Sequence, residues 1–117
     1  MPEAVAEFQR AIELEKDNGE TWSGLGHAYA LLGNRTEAQK VLDQLKELSA
    51  HSYVAPYNFA VIYAGLGERD RAFALLNRGY ADRSYYLAVY LTTDARLDSL
   101  RSDPRFAELR RRVGLPE

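Results

Sequence analysis

The stretch that decides the fold lies in the first third of the chain and reads Trp22-Ser23-Gly24-Leu25-Gly26-His27-Ala28-Tyr29. Trp22, Leu25 and Tyr29 are three and four positions apart, so an α-helix places them on one face. Gly26 stands within the same helix, although an interior glycine costs roughly 1 kcal/mol relative to alanine. We therefore expect Gly26 to have a packing role, because the missing side chain admits a neighbouring helix closely.

The pattern recurs at a spacing of 34 residues. Adding 34 to Leu25, Tyr29, Gly33, Ala38 and Leu42 gives residues of the required type at Phe59, Tyr63, Gly67, Ala72 and Leu76. Subtracting 34 from Ala38 and Leu42 gives Ala4 and Phe8. The spacing of Trp, Leu-Gly and Tyr, followed by Ala and a large apolar residue, resembles the tetratricopeptide repeat. The resemblance covers residues 3 to 83, with departures at Pro56, Ala60 and Gly79.

This resemblance implies an all-α, right-handed superhelix of helix-turn-helix repeats, each made of a helix A and a helix B. It divides the chain into a half repeat that holds only a helix B (residues 1–18), two repeats (19–52 and 53–83) and C-terminal capping helices (84–117). The tail from Leu97 to Leu115 resembles the closure of repeat arrays in bacterial multidomain regulators, so we expect the C-terminal part of a bacterial protein.

Apolar spacing and capping residues predict where the helices lie. Asp17-Asn18-Gly19 is predicted to end the first helix with a left-handed residue. Asp103 is predicted to cap the last helix, with Pro104 in its first turn. The predicted helices span residues 3–16, 20–32, 36–48, 54–66, 70–81, 85–91 and 105–113, with a helical turn at 94–100.

Composition narrows the function classes. The formal net charge of −2 argues against a general nucleic-acid binder, and the absence of cysteine excludes cysteine-based metal or nucleophile chemistry. No apolar run approaches the roughly 20 residues that span a membrane, and the start lacks the regions of a signal peptide. We expect a cytoplasmic location, and a fragment of a longer protein because the chain begins at a helix B.

No convergent set of polar residues predicts catalysis, a metal site or a cofactor. His27 and His51 are 24 positions apart and lack a carboxylate at metal-ligand spacing. The tail is locally basic, since five arginines outnumber Asp103 and Glu108, namely Arg101, Arg105, Arg110, Arg111 and Arg112. The tail could contact RNA, DNA or an acidic protein, but a solvated face of a capping helix is the simpler interpretation.

The resemblance implies that the A helices line a concave groove that binds a peptide or a partner protein. By repeat phase, eight residues are predicted to face this groove: Glu20, Ser23, His27, Leu31, Val54, Tyr57, Asn58 and Val61. Only Asn58 falls on a position of the clamp with which some family members bind a terminal carboxylate. The resemblance therefore implies a groove suited to hydrophobic anchors, and packing against a neighbouring helix is the alternative for Tyr57 and Leu31.

Two other functions remain open. The first helix would expose an apolar face at Val5, Phe8 and Ile12, which favours a homodimer. The start at a helix B also favours a regulatory C-terminal domain of a larger enzyme or transcription regulator.

Overall fold

A computed structural model describes residues 2–51, 54, 56–81 and 95–112. The described residues form six α-helices and one 3₁₀ helix. In chain order these are α1 (Pro2–Leu14), α2 (Gly19–Leu31), α3 (Arg35–Ser49), α4 (Pro56–Gly65), α5 (Arg69–Ala81), the 3₁₀ helix Ala95–Leu100, and α6 (Pro104–Arg112). The predicted all-α class and the order of the helices are confirmed. The helix predicted at 85–91 lies outside the described residues.

The helix ends show one wrong prediction and one correct one. Asn18 does not end α1 in a left-handed conformation. It caps α2, where its side-chain oxygen accepts hydrogen bonds from the backbone N–H groups of Glu20 and Thr21. This satisfies donors that have no partner within the helix. Asp103 caps α6 as predicted, because its carboxylate accepts the Arg105 N–H at 2.9 Å just before Pro104 begins the helix.

The turns after α2 and α4 have the same structure, as expected for repeats. Gly33 and Gly67 both have φ of +78°, a left-handed conformation that glycine adopts without strain. In the first turn the N–H of Asn34 reaches the carbonyl of Tyr29 at 2.9 Å, and in the second the N–H of Glu68 reaches the carbonyl of Tyr63 at 3.0 Å. Each turn therefore satisfies the last carbonyls of one helix and reverses the chain into the next.

One hydrophobic core runs through all the described helices, and within it α2 packs against α1, α3 and α4. A β-carbon placed on Gly26 would lie 2.6 Å from Ile62 Cδ1 and 3.0 Å from Val41 Cγ1. The same addition to Gly24 would lie 2.5 Å from the ring of Phe8. The missing side chains therefore admit a helix on two sides of α2, which confirms the packing role expected for Gly26.

The C-terminal elements pack on the second hairpin of the chain. The 3₁₀ helix lies on α4, where the Ser99 hydroxyl donates a hydrogen bond to the Ala64 carbonyl at 3.1 Å. Helix α6 lies on α5, and its Phe106 and Leu109 side chains are buried in the common core. These elements cover apolar surface of α4 and α5.

The contact at Gly26 predicts a specific loss of stability. A Gly26→Val variant should lose about 1–3 kcal/mol of unfolding free energy, because the added side chain must displace Ile62 and Val41. The control is Ala74→Val at an exposed position of α5, which should cost less than about 1 kcal/mol through helix propensity alone. Chemical denaturation followed by circular dichroism measures both. Equal losses in the two variants would contradict close packing at Gly26.

Candidate protein-binding surface

Most residues predicted to face an open groove are buried. Ser23 and Val61 are 0% exposed, Tyr57 is 1% exposed, and Asn58 and His27 are also buried. Only Glu20 and Leu31 are exposed, and Val54 is half-buried. The structure therefore corrects the expectation that all eight side chains are open to a ligand.

The reason is that α2 and α4 pack directly on each other through these positions. The Ser23 hydroxyl donates a hydrogen bond to the Asn58 carbonyl at 2.9 Å, within the buried contact between the two helices. His27 lies against Gly65, where a β-carbon would come within 2.9 Å of its imidazole Cδ2. Repeat phase places these side chains on one face of helix A. That face contacts the next helix rather than solvent.

The equivalent side chains of the second repeat are also buried. Adding 34 to Ser23 and His27 gives Tyr57 and Val61, and Ala30 corresponds to Ala64. These residues of α4 are buried, and the 3₁₀ helix binds the Ala64 carbonyl through Ser99. In α2 this face contacts α4. In α4 the equivalent face is covered by the C-terminal 3₁₀ helix.

The first helix also differs from its prediction. Ile12 is buried in the core, and Val5 and Phe8 are half-buried against it, so these three residues do not form an exposed patch. Phe8 occupies the space that Gly24 leaves open on α2. The apolar face proposed for a dimer is thus largely used within the chain.

Among the residues that the structure describes, the strongly exposed large apolar side chains lie elsewhere. Leu14 at the end of α1 is 84% exposed, and Leu31 and Leu32 at the end of α2 are 53% and 47% exposed. Repeat phase predicts an accessible Leu31 but gives no such prediction for Leu14 and Leu32. The repeat phase could have pointed to Leu14, because its equivalent Leu48 is buried in the next repeat.

Three arginines of the tail, Arg101, Arg105 and Arg111, contact residues within the chain. Arg105 pairs with Asp70 at 2.8 Å and with Asp103 at 2.9 Å, and its guanidinium lies 4.5 Å from the centre of the Phe73 ring. Hydrogen bonds from the Arg105 side chain hold the pKa of the Asp103 carboxyl below its usual value. Arg101 pairs with Asp98, and Arg111 pairs with Glu108. These contacts favour the interpretation of a solvated capping face.

A charged depression of about 480 Å³ lies beside Arg105, between the starts of α5 and α6. Its lining carries equal numbers of acidic and basic side chains: Glu68, Asp70, Asp103, Arg69, Arg71 and Arg105. Because these charges balance and five of the six are joined in ion pairs, the depression has no evident preference for a charged ligand.

Within the described residues no group of three or more histidine, cysteine, aspartate or glutamate side chains could hold a metal ion. His27 lies in the contact between α2 and α4, whereas His51 is exposed in the turn after α3. In the same described part of the chain, no helix has the length and apolar character needed to cross a membrane.

Comparison with known proteins supports the repeat assignment. Residues 1–50 match the family model described as tetratricopeptide repeat. The chain is 30% identical over 89 residues to Superkiller protein 3 of Schizosaccharomyces pombe (strain 972 / ATCC 24843). That match covers 76% of this chain and 6% of the yeast protein. No solved structure shows significant similarity to the chain. The fold is thus an all-α helical repeat of the tetratricopeptide type.

The buried contact between α2 and α4 predicts a difference between two serines. Ser23→Ala should lower the unfolding free energy by about 1–2 kcal/mol, because it removes a buried hydrogen bond that joins α2 to α4. Ser49→Ala is the control, since the Ser49 hydroxyl bonds to the Lys46 carbonyl on the surface and its loss should cost less than about 0.5 kcal/mol. Urea denaturation measures both. If Ser23→Ala were as harmless as Ser49→Ala, the Ser23 side chain would not join the two helices.

Proposed function

We propose that this chain is a tetratricopeptide repeat module that binds a protein partner and has no catalytic activity of its own. Tetratricopeptide repeats generally mediate protein–protein interaction, and residues 1–50 match their family model. The observation that carries the proposal is the exposure of Leu31, a large apolar side chain, at the end of a helix that is otherwise mostly buried. An exposed leucine of this kind gives a partner apolar surface to bury.

The binding edge includes the three predicted groove residues that remain accessible, namely Glu20, Leu31 and Val54. The 34-residue period shows which positions are equivalent in the two repeats. Val54 is the equivalent of Glu20, and Gly65 is the equivalent of Leu31. Val54, just before α4, lies against Gly19, and Gly65 at the end of α4 lies against His27, so both positions contact the preceding helix A. In α2 the equivalent positions are the carboxylate Glu20 and the exposed Leu31, and both are available to contact a partner protein.

Self-association is a second candidate function, and the exposure of Leu14 at 84% favours it. A symmetric contact through Val5, Phe8 and Ile12 would need α1 to move away from α2, because these residues pack on the core. A role as the regulatory C-terminal domain of a bacterial enzyme or transcription regulator stays a prediction from the sequence, as does the cytoplasmic location.

A comparison of two variants tests the proposed function. Leu31→Gln should abolish capture of at least one host protein that the unchanged chain retains, because it removes the exposed apolar anchor without altering the core. Gln44→Ala, at an exposed position of α3, is the control and should capture the same proteins as the unchanged chain. Quantitative mass spectrometry of affinity captures from host lysate makes the comparison. Identical captures by all three proteins would contradict binding through the Leu31 edge.

A further inference from the structure

The 3₁₀ helix Ala95–Leu100 is held on α4 by apolar burial and by a polar contact. Leu97 and Leu100 are fully buried in the common core. Ser99 is exposed, and its hydroxyl donates a hydrogen bond to the carbonyl of Ala64 at 3.1 Å. The polar contact that ties the C-terminal elements to α4 therefore comes from an accessible residue.

The acceptor of this hydrogen bond lies at the negative end of a helix. Ala64 is in the last turn of α4, and its carbonyl also accepts the N–H of Gly67 at 3.1 Å. Carbonyls at the C-terminus of a helix carry the negative part of the helix dipole, so they favour hydrogen-bond donors and cations. The Ser99 hydroxyl meets this preference as long as it keeps its proton, whereas a negative group in the same place would be repelled.

The sequence before Ser99 fits the recognition of a serine by a protein kinase. Arg96 lies three residues before Ser99, and no other serine or threonine of the 117-residue sequence has an arginine at that distance. Protein kinases use the pattern of charge near the acceptor residue to select their substrates. A short 3₁₀ helix has poorer hydrogen-bond geometry than an α-helix, so this segment opens locally more readily than the core helices do.

We propose that Ser99 is a phosphorylation site and that its modification loosens the 3₁₀ helix from α4. A protein kinase transfers the γ-phosphoryl group of a nucleoside triphosphate to Ser99 Oγ. The Oγ–H bond breaks, an Oγ–P bond forms, and a nucleoside diphosphate and a proton are released. This inference goes beyond the proposed function, because it concerns the C-terminal cover of α4 and not the exposed Leu31.

Phosphorylation acts on the contact in two ways. It removes the proton that Ser99 donates to the Ala64 carbonyl, so the hydrogen bond is lost. It also places about −1.5 to −2 charges beside the last carbonyls of α4, where a negative group is unfavourable. Both effects favour separation of the 3₁₀ helix from α4.

The neighbouring arginines do not restore the contact. Arg101 already pairs with Asp98 at 2.8 Å, and its guanidinium lies 5.2 Å from the centre of the Phe106 ring. A phosphate that drew Arg101 away would break these contacts of the C-terminal elements. Arg96 lies one 3₁₀ turn before Ser99, so a pair between it and the phosphate would form within the 3₁₀ helix. Such a pair would not hold that helix on α4.

Burial of Leu97 and Leu100 limits the effect. Both leucines leave water whenever the 3₁₀ helix is closed on α4, so the modified chain keeps its fold and populates the open state more often. Opening uncovers the face of α4 around Ala64, which is the equivalent of Ala30 in α2. Phosphorylation thereby makes this face of α4 accessible to a protein partner.

Treatment of the full chain with a nucleoside triphosphate and a protein kinase selective for arginine three residues before its serine tests the site. Mass spectrometry should find the phosphate on Ser99, and Arg96→Ala should take up about tenfold less, because the selecting charge is removed. Ser102→Ala is the control and should be modified as far as the unchanged chain. Absence of phosphate from Ser99 would contradict the proposal.

Hydrogen exchange followed by mass spectrometry tests the structural effect. Amides of residues 95–103 should exchange about tenfold faster in the chain phosphorylated on Ser99, because a hydrogen bond is lost and a repulsion is added. Amides of α2 should be unchanged. Ser99→Glu should accelerate exchange more than Ser99→Ala, which removes the hydrogen bond without adding charge.

Ser102→Glu is the matched control for charge. It makes the same change at an exposed residue three positions later and should alter exchange less than about twofold. Equal exchange with and without phosphate, or equal effects of Ser99→Glu and Ser102→Glu, would overturn the proposal. Host-protein capture that depends on Leu31 would stand in either case, so a failure at Ser99 is distinguishable from a failure of the proposed function.

Discussion

The close approach of α2 to its neighbours is the constraint on which the rest of the structure depends. It is possible because Gly24 and Gly26 lack side chains where Phe8, Val41 and Ile62 lie against the helix. Glycine destabilises an isolated helix, so this gain comes entirely from tertiary packing. The same approach closes the contact between α2 and α4, buries the Ser23 hydroxyl, and fixes which side chains remain available to a partner.

Much of the fold could be predicted from the sequence because the same pattern of residues recurs along the chain. The period of 34 residues placed the hairpins, and the equivalence of Gly33 and Gly67 correctly identified two turns of the same type. The N-terminal cap at Asp103 followed from local chemistry. The assignment of Asn18 failed because asparagine suits both the end of one helix and the beginning of the next. Only the three-dimensional direction of its side chain decides between them.

The candidate surface was harder to predict, for a physical reason. Repeat phase gives the direction in which a side chain leaves its helix, but it does not give the distance to the next helix. Ser23 and Val61 leave α2 and α4 in the predicted direction, yet the small residues around them let the neighbouring elements close over that face. Glu20 and Leu31 lie on the same face of α2, at the positions whose equivalents Val54 and Gly65 contact the preceding helix A, and in α2 both remain exposed. The exposed leucines of the described residues, Leu14, Leu31 and Leu32, therefore lie on α1 and at the end of α2 rather than along the contact between α2 and α4.

The most direct test of this account is a double-mutant cycle between Gly26 and Ile62. Ile62→Val removes Cδ1, the atom that would lie 2.6 Å from a β-carbon on residue 26. The unfolding free energies of Gly26→Ala, Ile62→Val and the double variant give the coupling between the two positions. The account predicts that the two changes are not additive, with Ile62→Val recovering at least about 0.5 kcal/mol of the cost of Gly26→Ala. Additivity within about 0.3 kcal/mol would show that α2 and α4 do not meet at Gly26, and would contradict the packing from which the binding surface was derived.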